Sequence, residues 1–315
     1  MPCPWPILVP LVCSYTEVAY APDTVLEDAR LQASLARAGF SPGLIDGKAG
    51  RKTRLATEQF QRSAGLAPTG KVDPATRAAL VKYMPAEWTR EYRITRQDAD
   101  LITGPIPSDW NERAALSLSG YESLHELLAE RGWCSLGMVA LLNPGTELGV
   151  VAVGDVVRLP DVPDPRDPKH ALPTPEFLVI DLDEKLVRGL NDSGIELFLL
   201  HCSVAQHAEK RPKGELRVKV VVTDPDYTFN PEQWPEVEGI TRKLRIAPGP
   251  RNPVGSAWIG LDKPGYGIHG SPRPQDIGKT GSHGCFRLTN WDALRLVHAV
   301  RPGMRVVVSG SGSDE

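Results

Sequence analysis

The stretch from Tyr266 to Asn290, YGIHGSPRPQDIGKTGSHGCFRLTN, most constrains what this chain can fold into and do. Gly284 directly precedes Cys285, and a residue without Cβ allows backbone angles that other residues resist. Such a turn can expose a side chain and leave N–H groups free to hold an oxyanion. A thiol also needs a basic neighbour, because the thiolate is the attacking species. The stretch therefore predicts a nucleophile at Cys285, with His269 and His283 as candidate partners.

Other interpretations of these residues stay open. His269, His283 and Cys285 could supply three ligands to a metal with an open fourth position, which is a catalytic zinc pattern. Cys285 could also be a buried structural thiol, although reactive thiols favour electropositive and partly open surroundings such as this one. Arg287 is expected either to hold a substrate carboxylate through two hydrogen bonds or to brace the loop.

The flanking residues are given supporting roles. Ser282 is expected to orient a histidine, contact substrate or make a local hydrogen bond. Asn290 is predicted to be the N-cap of the helix that follows. Tyr266 and Trp258 are expected to form walls of a substrate-binding cleft, as aromatic side chains usually do.

The order of these residues resembles the L,D-transpeptidase catalytic domain, the YkuD-type cysteine enzymes of bacterial cell walls. The resemblance is carried by His269-Gly270, by Ser282-His283-Gly284-Cys285-Phe286-Arg287-Leu288 with Asn290, and upstream by Asn252-Pro253-Val254-Gly255 and Trp258-Ile259-Gly260-Leu261. A motif of this length and order is specific, but it remains a hypothesis until geometry is known. The chain departs from the family at 201–204 and 211–214, which puts details of substrate recognition in doubt.

The resemblance implies a reaction. Cys285 would attack the carbonyl of a tetrapeptide stem of peptidoglycan, expel the terminal D-alanine and pass the acyl group to an amine acceptor. His269 would act as base, with its ring held by a backbone carbonyl such as that of Gly270. The N–H groups of Gly284 and Cys285, together with His283, would stabilise the oxyanion. No cofactor and no metal are implied, and carbapenem β-lactams are expected inhibitors. The alternatives are an L,D-carboxypeptidase, in which water takes the acyl group, and a wall-binding protein without catalysis.

Residues 24–84 are predicted to form a three-helix domain. Apolar residues recur at helical spacing from Leu26 to Ala38 and again from Thr53 to Ser63, and Asp73 with Pro74 is a typical helix start. The domain resembles the peptidoglycan-binding module through Leu31-Gln32, Gly39-Phe40, Ile45-Asp46-Gly47, Gly50, Thr53, Phe60-Gln61, Gly65-Leu66, Gly70 and Asp73-Pro74-Ala75-Thr76. The resemblance implies that it binds peptidoglycan glycan or stem peptide, whereas its glycines could simply serve turns.

Residues 103–160 are predicted to form a second small unit. Helices are expected at 121–131 and 136–142, a strand at 150–159, and a poorly formed opening strand near 114–118. This βααβ order resembles a LysM module, which binds glycan strands, and the alternative is a structural spacer. Residues 161–175 are rich in proline and charge, which is typical of a semi-rigid linker.

Residues 176–309 are predicted to be mainly β. Apolar runs at 177–182, 186–190, 195–201, 217–223 and 305–308 predict strands, and one helix is expected at 290–300. Few helices among many strands favour a β-sandwich or barrel-like sheet. The fold class is therefore multidomain α+β, and the upstream modules are expected to contribute nothing to the Cys285 motif, so that a fragment starting near Thr174 would carry the chemistry alone.

Composition excludes several classes of function. A formal net charge of −3 argues against a nucleic-acid partner, and no apolar run is long enough for a transmembrane helix. Five irregularly spaced cysteines do not form a disulfide framework. Residues 1–23 are expected to be an export signal or an unstructured N-terminus. Their apolar segment favours an export signal, whereas the lack of the usual Lys or Arg argues against one. The resemblance places the protein in the periplasm or cell envelope.

Overall fold

The structure is a computed structural model that describes residues 23–234, 237–282 and 284–310. The predicted N-terminal segment and His283 therefore lie outside the described residues. No helix in these ranges is both long and apolar enough to cross a membrane.

Three helices form the N-terminal unit, as the sequence predicts: α1 (Asp23–Arg37), α2 (Arg51–Ser63) and α3 (Pro74–Leu80). Asp73 is the N-cap of α3, where its carboxylate accepts a hydrogen bond from the Thr76 N–H at 2.7 Å. Gln61, which is fully buried, donates to the Thr76 hydroxyl and the Lys71 carbonyl, so one amide joins α2 to the loop before α3. The predicted helical domain is confirmed.

The middle unit combines a two-stranded sheet with four short helices. Its elements are β1 (Thr89–Arg93), α4 (Arg96–Asp100), α5 (Trp110–Ala115), α6 (Leu124–Arg131), α7 (Leu136–Leu142) and β2 (Val156–Pro160). β1 pairs with β2 in antiparallel register. The opening strand thus lies at 89–93, upstream of the boundary expected at 103. The residues expected to form it, 114–118, comprise the last two residues of α5 and the three that follow. Asp109 caps α5 with two hydrogen bonds, which favours a helix there.

One eight-stranded sheet carries the C-terminal unit. In chain order its strands are β3 (Phe177–Asp181), β4 (Leu186–Leu190), β5 (Glu196–His201), β6 (Gly214–Thr223), β9 (Ala257–Leu261), β10 (Gly267–His269), β11 (Phe286–Arg287) and β12 (Arg305–Ser309), while β7 (Tyr227–Phe229) and β8 (Leu244–Ile246) form a separate hairpin. The strand order is β11-β10-β9-β6-β12-β3-β4-β5. The pairs β10–β11 and β3–β12 are parallel, and the others are antiparallel.

Within the described residues of the C-terminal unit, one α-helix, α8 (Asn290–Val297), packs on this sheet against β6, β9 and β10, while α2 of the N-terminal unit packs against β5. Its buried Ala293, Leu294 and Leu296 join strand side chains such as Ile259 and Ile268 in the main core. Short 3₁₀ turns occupy Val81–Tyr83, Pro168–His170, Ala208–Lys210, Pro231–Gln233 and Pro274–Asp276. The mainly-β expectation for this unit is confirmed.

The three units share hydrophobic cores. Trp291 of α8 is 1% exposed and stacks on Trp133 of the middle unit, with ring centroids 6.4 Å apart. Leu186 and Leu199 of the sheet pack with side chains of the N-terminal unit, among them Phe40. The backbone at Ser41 donates to the Leu199 carbonyl at 2.8 Å. These contacts argue against the expected independence of the C-terminal unit.

The proline-rich segment 161–175 is docked on the protein. Leu172 is 2% exposed in the main core, and the Arg166 guanidinium makes two hydrogen bonds, of 2.7 and 2.9 Å, with the Asp224 carboxylate. The carbonyl of His170 accepts from the Arg295 side chain at 3.2 Å. Its prolines limit the backbone as expected, but side-chain contacts fix it in place, so it does not act as a free spacer.

Candidate active site

His269 ends β10 and is almost fully buried. Its Nδ1 donates to the Gly270 carbonyl at 2.7 Å, which leaves the lone pair on Nε2. The Trp258 indole stacks on the imidazole with centroids 5.7 Å apart. Burial lowers the pKa of His269 to about 4, although the carbonyls of Gly270 and Val254 act in the opposite direction. The ring is therefore a neutral imidazole with an oriented basic nitrogen.

Cys285 directly precedes β11, the parallel neighbour of β10, and His269 stands opposite Arg287 in the register of these strands. The Sγ of Cys285 donates to the Gly265 carbonyl at 3.4 Å. Burial raises the pKa of the thiol to about 11, against smaller lowering effects of the Gly267 N–H and Arg287. The Arg287 charge also lowers the pKa of His269, so it lies within electrostatic reach of both groups. In the resting state, the Cys285 thiol and the His269 imidazole are therefore both neutral.

Ser282 and Arg287 brace the turn that carries Cys285. The Ser282 hydroxyl donates to the Cys285 carbonyl and accepts from the Gly284 N–H at 3.3 Å. One terminal nitrogen of Arg287, Nη2, donates to the Thr280 carbonyl at 2.8 Å and to the Gly281 carbonyl at 2.6 Å. Arg287 Nε is buried and has no hydrogen-bond partner among the described residues. These contacts match the loop-bracing alternative for Arg287 and the local role expected of Ser282.

The space around Gly284, directly before Cys285, is open enough for a side chain. A Cβ placed on it would lie 3.7 Å from the Tyr266 ring, which is an ordinary contact distance. Space alone therefore does not require a glycine before Cys285. Tyr266 lies against the turn, and the Lys263 ammonium lies over the Tyr266 ring, 4.6 Å from its centroid.

Asn290 is not the N-cap of α8. Thr289 holds that position, with its hydroxyl accepting from the Asp292 N–H at 3.2 Å. Asn290 is the first helical residue, is fully buried, and uses its amide across the fold: Oδ1 accepts from the Ser256 N–H and Nδ2 donates to Glu130. The N-cap prediction is wrong because Thr289, which is also a capping residue type, stands one residue earlier and the Asn290 amide is used in tertiary contacts.

An aromatic cluster that the sequence motif did not reveal lies within electrostatic reach of the thiol. Tyr227 and Phe229 of β7 pack with Trp234 and with Trp110 of α5, and Trp110 stacks on Phe229 at 4.2 Å. The Cys285 charge raises the pKa of Tyr227, after the larger effect of burial, which places the two within electrostatic reach. No spacing rule joins these residues, because they come from separate units of the chain.

No set of three or more His, Cys, Asp or Glu side chains in the described ranges is arranged to hold a metal ion. His283, one member of the metal alternative, falls outside those ranges. Of the other thiols, Cys134 and Cys202 are buried, and burial raises the pKa of each well above its usual value. Cys202 packs in the main core and Cys134 in the core that includes Trp133.

Comparison with known proteins decides the family. The model of the L,D-transpeptidase catalytic domain matches residues 175–308, and that of a peptidoglycan binding domain matches 27–80. YqjB of Bacillus subtilis, which carries an L,D-transpeptidase name, is 36% identical over 147 residues, covering 45% of this chain and 75% of that protein. The chain belongs to the L,D-transpeptidase family. It is an enzyme of that family, and the residues that carry the resemblance lie in the matched region.

A second relative, YkuD of Bacillus subtilis, is 27% identical over 168 residues, which cover 53% of this chain and 82% of its own. Among solved structures, an L,D-transpeptidase (residues 123–326) from Xylanimonas cellulosilytica is 17% identical, with a TM-score of 0.35 and coverage of 92% of this chain and 94% of that one. At that score the structural likeness adds nothing to the assignment, which rests on sequence.

Proposed function

We propose that this L,D-transpeptidase acts on peptidoglycan, forms a thioester between Cys285 and a tetrapeptide stem, and transfers the acyl group to an amine acceptor. The observation that carries the proposal is the parallel pairing of β10, which ends at His269, with β11, which Cys285 directly precedes, together with the Gly270 carbonyl that holds the imidazole at 2.7 Å. A base fixed at Nδ1 offers Nε2 to a proton donor without a competing tautomer.

The resting protonation states define the acylation step. Because the pKa of Cys285 is raised to about 11 and that of His269 is lowered to about 4, both groups are neutral near pH 7. Sγ therefore attacks the stem carbonyl as its proton passes to His269 Nε2. Collapse of the tetrahedral intermediate breaks the bond to D-alanine, whose amine takes that proton. A thiolate of high pKa is also the stronger nucleophile once formed.

The second half-reaction uses the same groups. An acceptor amine attacks the thioester, gives a proton to His269, and the departing Cys285 sulfur takes it back. We assign the oxyanion to the Cys285 N–H, with His283 and the Gly284 N–H as further donors, the latter on leaving its 3.3 Å hydrogen bond to the Ser282 hydroxyl. Ser282 supports this turn through its bond to the Cys285 carbonyl.

The wall of the cleft is assigned to aromatic side chains. Trp258 stacks on the imidazole and Tyr266 covers Gly284, so both would border an acyl group on Cys285. Arg287 braces the Thr280–Gly281 loop through Nη2, and its charge, which lies within electrostatic reach of Cys285, would attract a substrate carboxylate.

The upstream units are proposed to bind the wall. A cavity of about 310 Å³ between α1 and α2 is lined by acidic side chains, Glu27 and Asp28, and by basic ones, Arg54, Lys71 and Arg77. Stem peptides carry both amines and carboxylates, which such a lining complements. For the middle unit, the β1–α6–α7–β2 order supports a LysM-like role in binding glycan strands. Both activities would place the protein at the cell envelope.

The test is incubation of the purified protein with disaccharide-tetrapeptide, followed by mass spectrometry of the products. A cross-linked dimer with release of D-alanine is expected, and Cys285→Ala should give none. A trimmed stem without dimer would identify an L,D-carboxypeptidase instead. Unchanged substrate, together with binding of the protein to purified sacculi, would identify a wall-binding protein without catalysis.

A further inference from the structure

We propose that Glu130, on α6 of the middle unit, is a positioning residue for His269 and acts through the side-chain amide of Asn290. The inference rests on the proposed role of His269 as the base. It assigns to a unit outside the catalytic region a part in the chemistry of the site.

The amide of Asn290 can take only one orientation. Its Nδ2 donates to the Glu130 carboxylate oxygens at 3.1 and 3.3 Å and to the Pro250 carbonyl at 3.1 Å. Its Oδ1 accepts from the Ser256 N–H at 3.1 Å. A flipped amide would set its NH₂ group against the Ser256 N–H and its oxygen against the Pro250 carbonyl and Glu130. Glu130 therefore helps to fix which end of the amide faces the active-site backbone.

The oxygen end of that amide supports the backbone that holds the histidine. A Cβ on Gly255 would lie 2.1 Å from Asn290 Oδ1, and one on Gly270 would lie 2.3 Å away, so both glycines pack directly on this oxygen. Gly255 also has a φ of +63°, which favours glycine. The carbonyl of Gly270 is the group that accepts from His269 Nδ1 at 2.7 Å. One peptide group thus separates the Asn290 contact from the imidazole.

Glu130 is itself held firmly. The Tyr121 hydroxyl donates to Oε1 at 2.9 Å, and burial raises the pKa of the carboxyl to about 7 in spite of the hydrogen bonds from Asn290 and Tyr121. On the same helix, Glu126 accepts from Arg251 at 2.7 Å, next to the Pro250 carbonyl, and Arg251 also pairs with Glu122. Since either protonation state of a carboxyl keeps an acceptor oxygen, the contact with Asn290 persists through neutral pH.

The test uses Glu130→Gln in the full chain, with acylation of Cys285 by imipenem followed by intact-mass spectrometry. Glutamine keeps the volume but, in either orientation, replaces one of the two oxygens that face Asn290 Nδ2 with an NH₂ group, which repels that donor and shifts the amide. A displacement of a reacting group by about 1 Å can cost 10²-fold in rate. We expect the maximal acylation rate to fall at least about tenfold, with the half-saturating imipenem concentration unchanged. Tyr121→Phe is the matched control: it removes a hydrogen bond to the same carboxyl but leaves Asn290 alone, so its rate should stay within about twofold of wild type.

The outcomes separate the inference from the proposed function. If the wild-type chain forms no adduct at Cys285, the proposed function fails first. If wild type reacts and folded Glu130→Gln reacts equally fast, only the positioning role of Glu130 is overturned. Should Glu130→Gln not fold, Glu130→Leu replaces the carboxyl with an apolar group of similar size and is judged by the same rate criterion. Failure of both to fold, beside a folded and fully active Tyr121→Phe, would overturn the inference in favour of a structural role. An equal loss of rate in Tyr121→Phe and Glu130→Gln would also overturn it.

Discussion

Removal of the first 173 residues should leave a C-terminal unit that does not fold as a soluble monomer. Three of its large apolar side chains, Trp291, Leu186 and Leu199, are at most 1% exposed in the full chain and belong to cores shared with the upstream units. The deletion would place their upstream-facing surfaces in water. It would also take away the sheet-edge contact between Ser41 and the Leu199 carbonyl.

The magnitude follows from burial. Full burial of one such side chain is worth about 1.5–3 kcal/mol, so exposing all three costs up to roughly 5–9 kcal/mol. Two buried charged groups lose partners as well: Asp292 accepts from the Ser41 hydroxyl at 2.8 Å, and Arg295 donates to the Ala36 carbonyl at 3.0 Å. The free energy of unfolding of a domain is only about 5–15 kcal/mol, so this loss is comparable to the entire stability of the C-terminal unit.

The assay compares a fragment starting at Thr174 with a control chain starting at Asp23. Soluble yield, size-exclusion behaviour, thermal unfolding and imipenem acylation are measured on both. The control should unfold cooperatively and react, whereas the fragment should aggregate or unfold at a much lower temperature. A monomeric fragment that unfolds within a few degrees of the control, and reacts at its rate, would refute the argument that these cores are shared energetically.

Three further predictions concern the site. Cys285→Ala should abolish the imipenem adduct while its unfolding temperature stays close to that of wild type, because the core does not need the sulfur; an adduct that persists in the variant would place the nucleophile elsewhere. Activity should survive dialysis against a strong chelator, since no proposed step uses a Lewis acid, and loss that zinc restores would remove His269 from the role of base. Burial lowers the pKa of His269 to about 4 and of His201 to about 3, so the unfolded chain binds more protons between about pH 6.5 and those values. Stability should therefore fall as the pH drops through that window, and His201→Gln should weaken this dependence of stability on pH. An acid-unfolding transition that is unchanged in the variant would contradict the lowered pKa of His201.

Local patterns in the sequence predicted the elements well. The cap at Asp73, the apolar periodicity of α1 and α2, and the valine-rich run in β6 each depend on neighbours within a few residues. The same is true of the motif around Cys285, whose residues from Ser282 to Arg287 brace one turn. Short-range physics decides these features, and a single chain contains the information needed to find them.

Contacts between distant segments could not be predicted in the same way. Glu130 and Asn290 are 160 residues apart, and nothing in the sequence of α6 marks one of its glutamates as a partner of the catalytic region. The position of the opening strand in the two-stranded sheet was predicted wrongly for a related reason. TREYR at 89–93 has the charged pattern of an edge strand, and only its pairing with Val156–Pro160 identifies it.

The docked segment 161–175 changes how wall-binding units would assist catalysis. A flexible tether raises the local concentration of substrate by an amount that its length sets. Here Leu172 is buried in the main core and Arg166 is paired with Asp224, so packed contacts, rather than tether length, set the separation between the cavity at Glu27 and the thiol of Cys285. The upstream units would then act by orientation. Substitutions that undock them should slow the reaction with soluble stem peptide as well as with sacculi, whereas a tether would affect sacculi alone.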